Sequence, residues 1–326
     1  MNISEFKNQM NTWGQEKVPF LFVVDFEMKK PVIIKLADID PAKILFEING
    51  IKNTESRDEK PKLISLQKLP MGFKDYQKKF DSVLSHLEYG DSFLTNLTVK
   101  TEIELQHSLN DVYAVSRAKY KLLYNNQFLV FSPETFIKIQ DGKIFSFPMK
   151  GTIDASIPNA EEKILSNQKE LSEHVTIVDL IRNDLSLVAT EVEVKRFRYI
   201  EKIQTHSKAL LQVSSEISGR LGPDYNAHLG DILVDLLPAG SISGAPKRKT
   251  IEIIEQAEGE KRGFYTGVFG YFNGKNLDSG VMIRFMEKDG GKWIYKSGGG
   301  INSMSNAQSE YEELINKIYV PVNRKH

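Results

Sequence analysis

The sequence predicts an α+β fold built on antiparallel sheets, and three observations carry the prediction. Apolar strand-like runs cluster along the chain instead of alternating one for one with helices. Turn pairs of the hairpin kind separate several of them, at Asn49-Gly50, Asn125-Asn126 and Asp141-Gly142. The chain of 326 residues, 40% hydrophobic and 26% charged, can bury a core as one large domain or two.

Taken in order, residues 2–16 form a short amphipathic helix, followed by β-rich runs at 19–26, 31–36 and 43–48. The polar stretch Asn49 to Lys68 reads as an exposed loop. Apolar residues at Phe73, Tyr76, Phe80, Val83, Leu84 and Leu87 fall on one stripe, which predicts a helix over 73–87. Strand alternation fills 92–147, and a single helical pattern covers about 159–184. Strands follow at 190–199 and 207–219, helices at 226–237 and 246–258, strands at 264–273, 279–287 and 292–297, and a last helix at 306–319. One catalytic domain over 1–326 is expected, with 1–72 as an N-terminal subregion and 73–320 as its core.

Composition excludes several functions. Lys+Arg and Asp+Glu both total 43, so no global field recruits nucleic acid or an acidic membrane, and an anion needs a local site. Cysteine is absent, which removes disulfides, thiolate metal centres and thiol nucleophiles. The first apolar run, Val18 to Val24, is too short to span a bilayer and lacks signal-peptide flanks, so a soluble, cytoplasmic protein is expected.

Four constellations could carry chemistry. Pro148 and Gly151 bound a turn that would hold Lys150 with its amine projecting; a nucleophilic role needs its pKa brought toward neutral, and a solvated loop lysine is the ordinary alternative. Glu170 and Glu173 share a helix face at i, i+3, with oxygen donors suited to a hard divalent cation. Glu310, Glu313 and Lys317 share another face, and the two helices together could hold one Mg²⁺, unless both are merely solvated charged faces. The glycine-rich runs Pro238 to Lys247 and Ser297 to Ile301 match neither the Walker loop nor the dinucleotide fingerprint, so a small carboxylate suits them better than a nucleotide. Arg284 stands among apolar neighbours in an expected strand, and a carboxylate partner, structural or ligand, is expected for it.

These segments, in this order, resemble the chorismate-utilising enzymes, and most of all their aminodeoxychorismate synthase component I branch. The resemblance runs from about Phe73 to Lys317 through Ser132-Pro133-Glu134, Pro148 to Thr152, Glu173-His174 with Asp179 to Asp184, Ala239 to Lys247, Tyr265 to Tyr271, Ile283-Arg284, Gly298 to Ile301 and Glu310 to Lys317. It implies two stacked, mainly antiparallel β-sheets flanked by helices, with chorismate and Mg²⁺ in a central cleft. Glu173 and Glu313 would ligate the metal, supported by Glu170 and Glu310. Thr152, Ser241, Tyr265, Arg284, Gly298, Gly299, Gly300 and Lys317 would contact substrate.

Lys150 distinguishes branches of the family: anthranilate synthases usually carry alanine there, whereas a lysine resembles the nucleophile that adds at C2 of chorismate before ammonia enters at C4. Isochorismate and salicylate enzymes carry a lysine base where this chain has Leu94, which disfavours water activation. Relatives also carry a His-Leu-Val-Ser motif, and here the histidine position is read as Leu211, with His206 nearby as a substitute. The resemblance implies ammonia delivered by a separate glutamine amidotransferase, since this chain has no cysteine, and a separate lyase for the product. Anthranilate synthase component I is the alternative enzyme, and a non-catalytic chorismate-binding subunit the alternative of another class.

Overall fold

The computed structural model describes residues 1–54, 64–204 and 209–321. Two nine-stranded sheets form its frame. The first runs in the order Met149–Asp154, Ala209–Arg220, Lys143–Ser146, Thr135–Gln140, Leu277–Val281, Val268–Phe272, Phe20–Val24 and Val32–Lys35, with Thr190–Gln204 also paired to Ala209–Arg220. The second runs Gly244–Ala245, Leu94–Leu105, Lys292–Ile301, Phe285–Asp289, Phe128–Ser132, Tyr120–Tyr124, Ile44–Ile48 and Ile51–Lys52, with Leu66–Leu69 paired to Leu94–Leu105. Every pairing is antiparallel. The first 54 residues thus supply strands to both sheets.

The strand Phe20–Val24 is apolar throughout because both of its faces are buried. Leu21 and Val23 point into the layer between the sheets and join Phe46, Leu122, Phe269 and Phe285. Phe20, Phe22 and Val24 point the other way and join Phe6 and Met10 of the N-terminal helix, Ile177 of Gln168–Ser186 and Leu233 of Leu229–Leu236. The sheets approach closely at Gly280, where an added Cβ would lie 2.5 Å from the Tyr120 ring, so only glycine fits.

The helices Ile3–Gln15, Phe73–Tyr89 and Lys247–Glu258 and most strands agree with the sequence reading. Several elements differ from it. The expected helix over 159–184 is two helices, Ala160–Ser166 and Gln168–Ser186, because Asn167 turns out of helical geometry and its side chain accepts from Glu170 N as an N-cap. A short helix, Leu109–Val115, opens with a Ser108–Asp111 capping box inside the region read as strand. The expected strand 279–287 is split by Arg284 at φ 54°, which therefore lies between strands and not within one. The loop over 49–68 contains the strands Ile51–Lys52 and Leu66–Leu69 at its ends, and its centre lies outside the described residues. No described helix is long and apolar enough to cross a membrane.

The chain changes sheets twice at one corner. Phe128–Ser132 belongs to the second sheet and Thr135–Gln140 to the first, so Pro133-Glu134 is the crossing. Leu277–Val281 returns to Phe285–Asp289 through Met282-Ile283-Arg284. Hydrogen bonds from Val281 N to Glu134 O and from Phe131 N to Arg284 O, both 3.1 Å, tie the crossings together. A cavity of about 580 Å³ opens at this corner.

Candidate active site

All thirteen side chains or backbone units proposed from the sequence line this one cavity: Lys150, Thr152, Glu170, Glu173, Ser241, Tyr265, Arg284, Gly298, Gly299, Gly300, Glu310, Glu313 and Lys317. Its wall carries five glutamates, counting Glu134, and five cations, Lys150, Lys169, Arg284, Lys296 and Lys317.

Lys150 stands on the outermost strand of the first sheet. Pairing runs Met149 to Ser214 and then Thr152 to Gln212, so Lys150 and Gly151 form a bulge, made possible by Gly151 at φ 79°. The bulge turns the lysine into the cavity. Its Nζ lies 3.7 Å from Glu173 Oε2, with 17% of the side chain exposed. A Cβ added to Gly300 would come within 3.2 Å of the same nitrogen and 3.4 Å of that Glu173 oxygen.

The two glutamate helices begin alike. Asn167 caps Gln168–Ser186, and Asn306 caps Ala307–Asn316 by accepting from Ser309 N. Glu170 and Glu310 therefore sit in first turns, where the helix dipole favours a carboxylate. Glu173 and Glu310 are both buried. Burial pushes the Glu173 carboxyl up, opposed by Lys150 and Lys169. Lys169 Nζ joins the helices, 2.6 Å from Glu310 Oε1 and 3.6 Å from Glu173 Oε1. Burial works to raise Glu313 as well, but Lys317, 2.7 Å away, holds its carboxyl below the usual range.

The substrate side is assembled from the sheet corner. Tyr295 OH and an Arg284 guanidinium nitrogen both donate to Lys317 O, which fixes the end of the last helix while Lys317 Nζ donates to Gly298 O at 2.9 Å. Arg284 also stacks over Tyr319, 4.7 Å from its centroid. Among the described residues Arg284 thus meets a backbone carbonyl and a ring, with no structural carboxylate at ion-pair distance, and its guanidinium keeps further donors. Gly298, Gly299 and Gly300 are part of the strand Lys292–Ile301, paired along one edge to Thr98, Leu97 and Asn96 in that order, and do not follow it as a loop. The other glycine-rich run forms the short turn Gly240–Ser243, and Ser241 Oγ donates to Glu134 Oε1. Lys247 of this run is taken by Asp184 at 2.8 Å and so serves the fold.

Leu211 does not face the cavity. Alternation along Ala209–Arg220 turns it into the protein, and its neighbours Leu210 and Gln212 line the site instead. Gln212 Nε2 donates to Met149 Sδ at 3.2 Å, beside Lys150. His206 lies outside the described residues.

Sequence reasoning missed Glu134, Lys169 and Gln212 as site residues. Glu134 stands in the Ser132-Pro133-Glu134 segment of the resemblance, where no local pattern marks it as a site residue. Burial pushes its carboxyl up, against Ser241, Lys150 and Lys317. Lys169 was legible as the i, i+4 partner of Glu173. Gln212 was legible from period-two alternation.

Among the described residues no three acidic or histidine side chains converge as a metal cluster. The donors nevertheless fit a hard divalent cation in kind: they are anionic oxygens on two facing helices, and the Lys169 ammonium between Glu173 and Glu310 stands in for its charge. Glycine backbone makes room for them, since a Cβ at Gly151 would lie 3.1 Å from Glu170 Oε2 and one at Gly299 3.4 Å from Glu310 Oε2.

Residues 25–323 match the family described as chorismate binding enzyme. The chain is 49% identical over 323 residues to an uncharacterised PabA-like protein of Pasteurella multocida, covering 99% of this chain and all of that one. It is 32% identical over 260 residues to aminodeoxychorismate synthase component 1 of Salmonella typhimurium, covering 75% of this chain and 56% of the relative, so it spans about half of that protein's length. Among solved structures, anthranilate synthase component I from Streptococcus pneumoniae superposes with a TM-score of 0.67 at 27% identity, over 80% of this chain and 60% of that one.

Proposed function

Because the chain belongs to the chorismate-binding enzyme family, we propose that this chorismate-utilising enzyme is the aminating component of an aminodeoxychorismate synthase, converting chorismate and ammonia to 4-amino-4-deoxychorismate. The observation that carries this reading is Lys150, an amine on a glycine bulge with its tip against Gly300 and Glu173 inside the cavity. Leu94, the position of a water-activating lysine in isochorismate enzymes, is a buried apolar side chain touching the same glycine.

As a free amine, Lys150 adds at C2: the Nζ–C2 bond forms, both ring double bonds shift by one bond, from C1=C2 and C5=C6 to C1=C6 and C4=C5, and the C4–O bond breaks. Glu134 is suited to give the departing hydroxyl its proton, so that water leaves, because burial keeps its carboxyl protonated to higher pH than usual. Ammonia then bonds to C4, both ring double bonds return to C5=C6 and C1=C2, and the Nζ–C2 bond breaks. Its surplus proton passes to Glu134, which is ready for another cycle. Two displacements account for retained configuration at C4.

Arg284, Tyr265 and the Gly298 to Gly300 edge would hold one substrate carboxylate, with Thr152 and Ser241 toward the ring and Lys317 adding positive charge. Glu173 and Glu313, supported by Glu170 and Glu310, would hold Mg²⁺, which supplies Lewis-acid charge for the other carboxylate. With Lys150 as a free amine and Glu134 protonated, four glutamates balance four cations on the cavity wall, and a dicarboxylate with a divalent cation preserves that balance.

The chain carries no cysteine, so ammonia from glutamine would come from a separate amidotransferase, and a separate lyase would complete para-aminobenzoate for folate synthesis. Incubation with chorismate, ammonium and Mg²⁺, with products identified by mass, tests the proposal. 4-Amino-4-deoxychorismate is expected. Fluorescent anthranilate would replace the reading with amination at C2, and binding without turnover would replace it with a non-catalytic role.

A further inference from the structure

We propose that Lys169 is a built-in competitor of the divalent cation and sets the affinity of this cavity for it. The inference rests on the proposed Mg²⁺ reading and adds to it a residue and a mechanism of control.

Glu173 and Glu310 are 6% and 4% exposed, and they come from different helices. Two buried carboxylates facing one space need positive charge between them. Among the described residues, Lys169 is the ammonium within ion-pair distance of both, at 3.6 Å and 2.6 Å. Lys150 reaches Glu173 at 3.7 Å, and Lys317 reaches Glu313 at 2.7 Å, but neither joins the pair. The ammonium thus performs the electrostatic task of a cation before any cation is bound.

The two occupants exclude each other. Mg²⁺ binds oxygens at about 2.1 Å and requires near-octahedral space, so Glu173 cannot ligate it with Glu310 in support while an ammonium lies 3.6 Å from Glu173 Oε1 and donates to Glu310 Oε1. Lys169 has an exit, because 30% of its side chain is exposed and its four-carbon stem can carry the charge to water. Cation binding therefore includes the cost of releasing Lys169, and the helices remain tied together whichever occupant is present.

Calorimetric titration with MgCl₂ alone, without chorismate, measures this directly. Lys169→Met is expected to bind Mg²⁺ about tenfold more tightly than the unmodified chain, and Lys169→Arg to stay close to it. Glu173→Gln in the Lys169→Met background should abolish the gain, which locates the event. Equal or weaker binding by Lys169→Met overturns the competition while leaving the metal site intact. If no protein binds Mg²⁺ at millimolar concentration, the metal reading fails and the competition with it.

A measurement on the unmodified chain covers the case in which Lys169→Met does not fold. Reductive methylation followed by peptide mass spectrometry should label Lys169 several-fold faster with Mg²⁺ than without. An unchanged rate, with Mg²⁺ binding established by calorimetry, overturns the proposal.

Discussion

Lys150 Nζ lies 3.7 Å from Glu173 Oε2, and the two side chains arrive from different layers of the fold, one from an edge-strand bulge and the other from a helix face. The proposed nucleophile and the proposed metal site are therefore adjacent, and Gly300 backs both.

Lys150→Ala removes the amine without adding bulk. Amination of chorismate should fall by about 10³-fold or more, with chorismate affinity changed little. Product formation under saturating ammonium, beside equilibrium binding, measures both.

Gly300→Ala puts a methyl 3.2 Å from both Lys150 Nζ and Leu94 Cδ1. Leu94 is held in the core, so the lysine tip gives way. A displacement of this size should lower kcat roughly 10- to 100-fold while thermal unfolding barely moves.

Burial raises the Glu134 carboxyl, so its protonated form persists to higher pH than an ordinary glutamic acid. Activity that depends on this acid should decline as pH rises through that raised value. Glu134→Gln should lower the rate by about 10²- to 10⁴-fold and erase that limb of the pH–rate profile.

His174 is buried, its Nε2 2.7 Å from Ser215 Oγ, and desolvation first, then Arg198 and Lys150, push it down to about 4. Below its ordinary value of 6.5 the unfolded chain takes up the proton before the folded one does. The folded state should thus lose up to about 3 kcal/mol as pH falls from about 6.5 to about 4. Urea unfolding of His174→Gln across that window should show a flatter dependence than the unmodified chain.

Arg262 and Glu258 form a buried pair at 2.6 Å, and the guanidinium also donates to Ile242 O beside Ser241 and to Asn96 O. Arg262→Met leaves the Glu258 carboxylate unpaired and should cost about 3–5 kcal/mol in urea unfolding. Replacing both residues by apolar ones should recover much of that loss.

Local periodicity was enough to read most helices and strands, and the family resemblance carried by the order of the segments was enough to name the thirteen residues that share the cavity. Side-chain period and turn chemistry act over a few residues, so they are written in the chain itself. The meeting of Lys169 with Glu310 spans 141 residues and depends on how two sheets stack, which no local pattern contains. The same holds for Arg284, whose strand breaks because the chain changes sheets there, and for Glu134 at the opposite crossing. The histidine position of the motif falls on Leu211, whose side chain and that of Gln212 take opposite faces of one strand, and only the pairing of Thr152 with Gln212 decides that Gln212 meets the cavity.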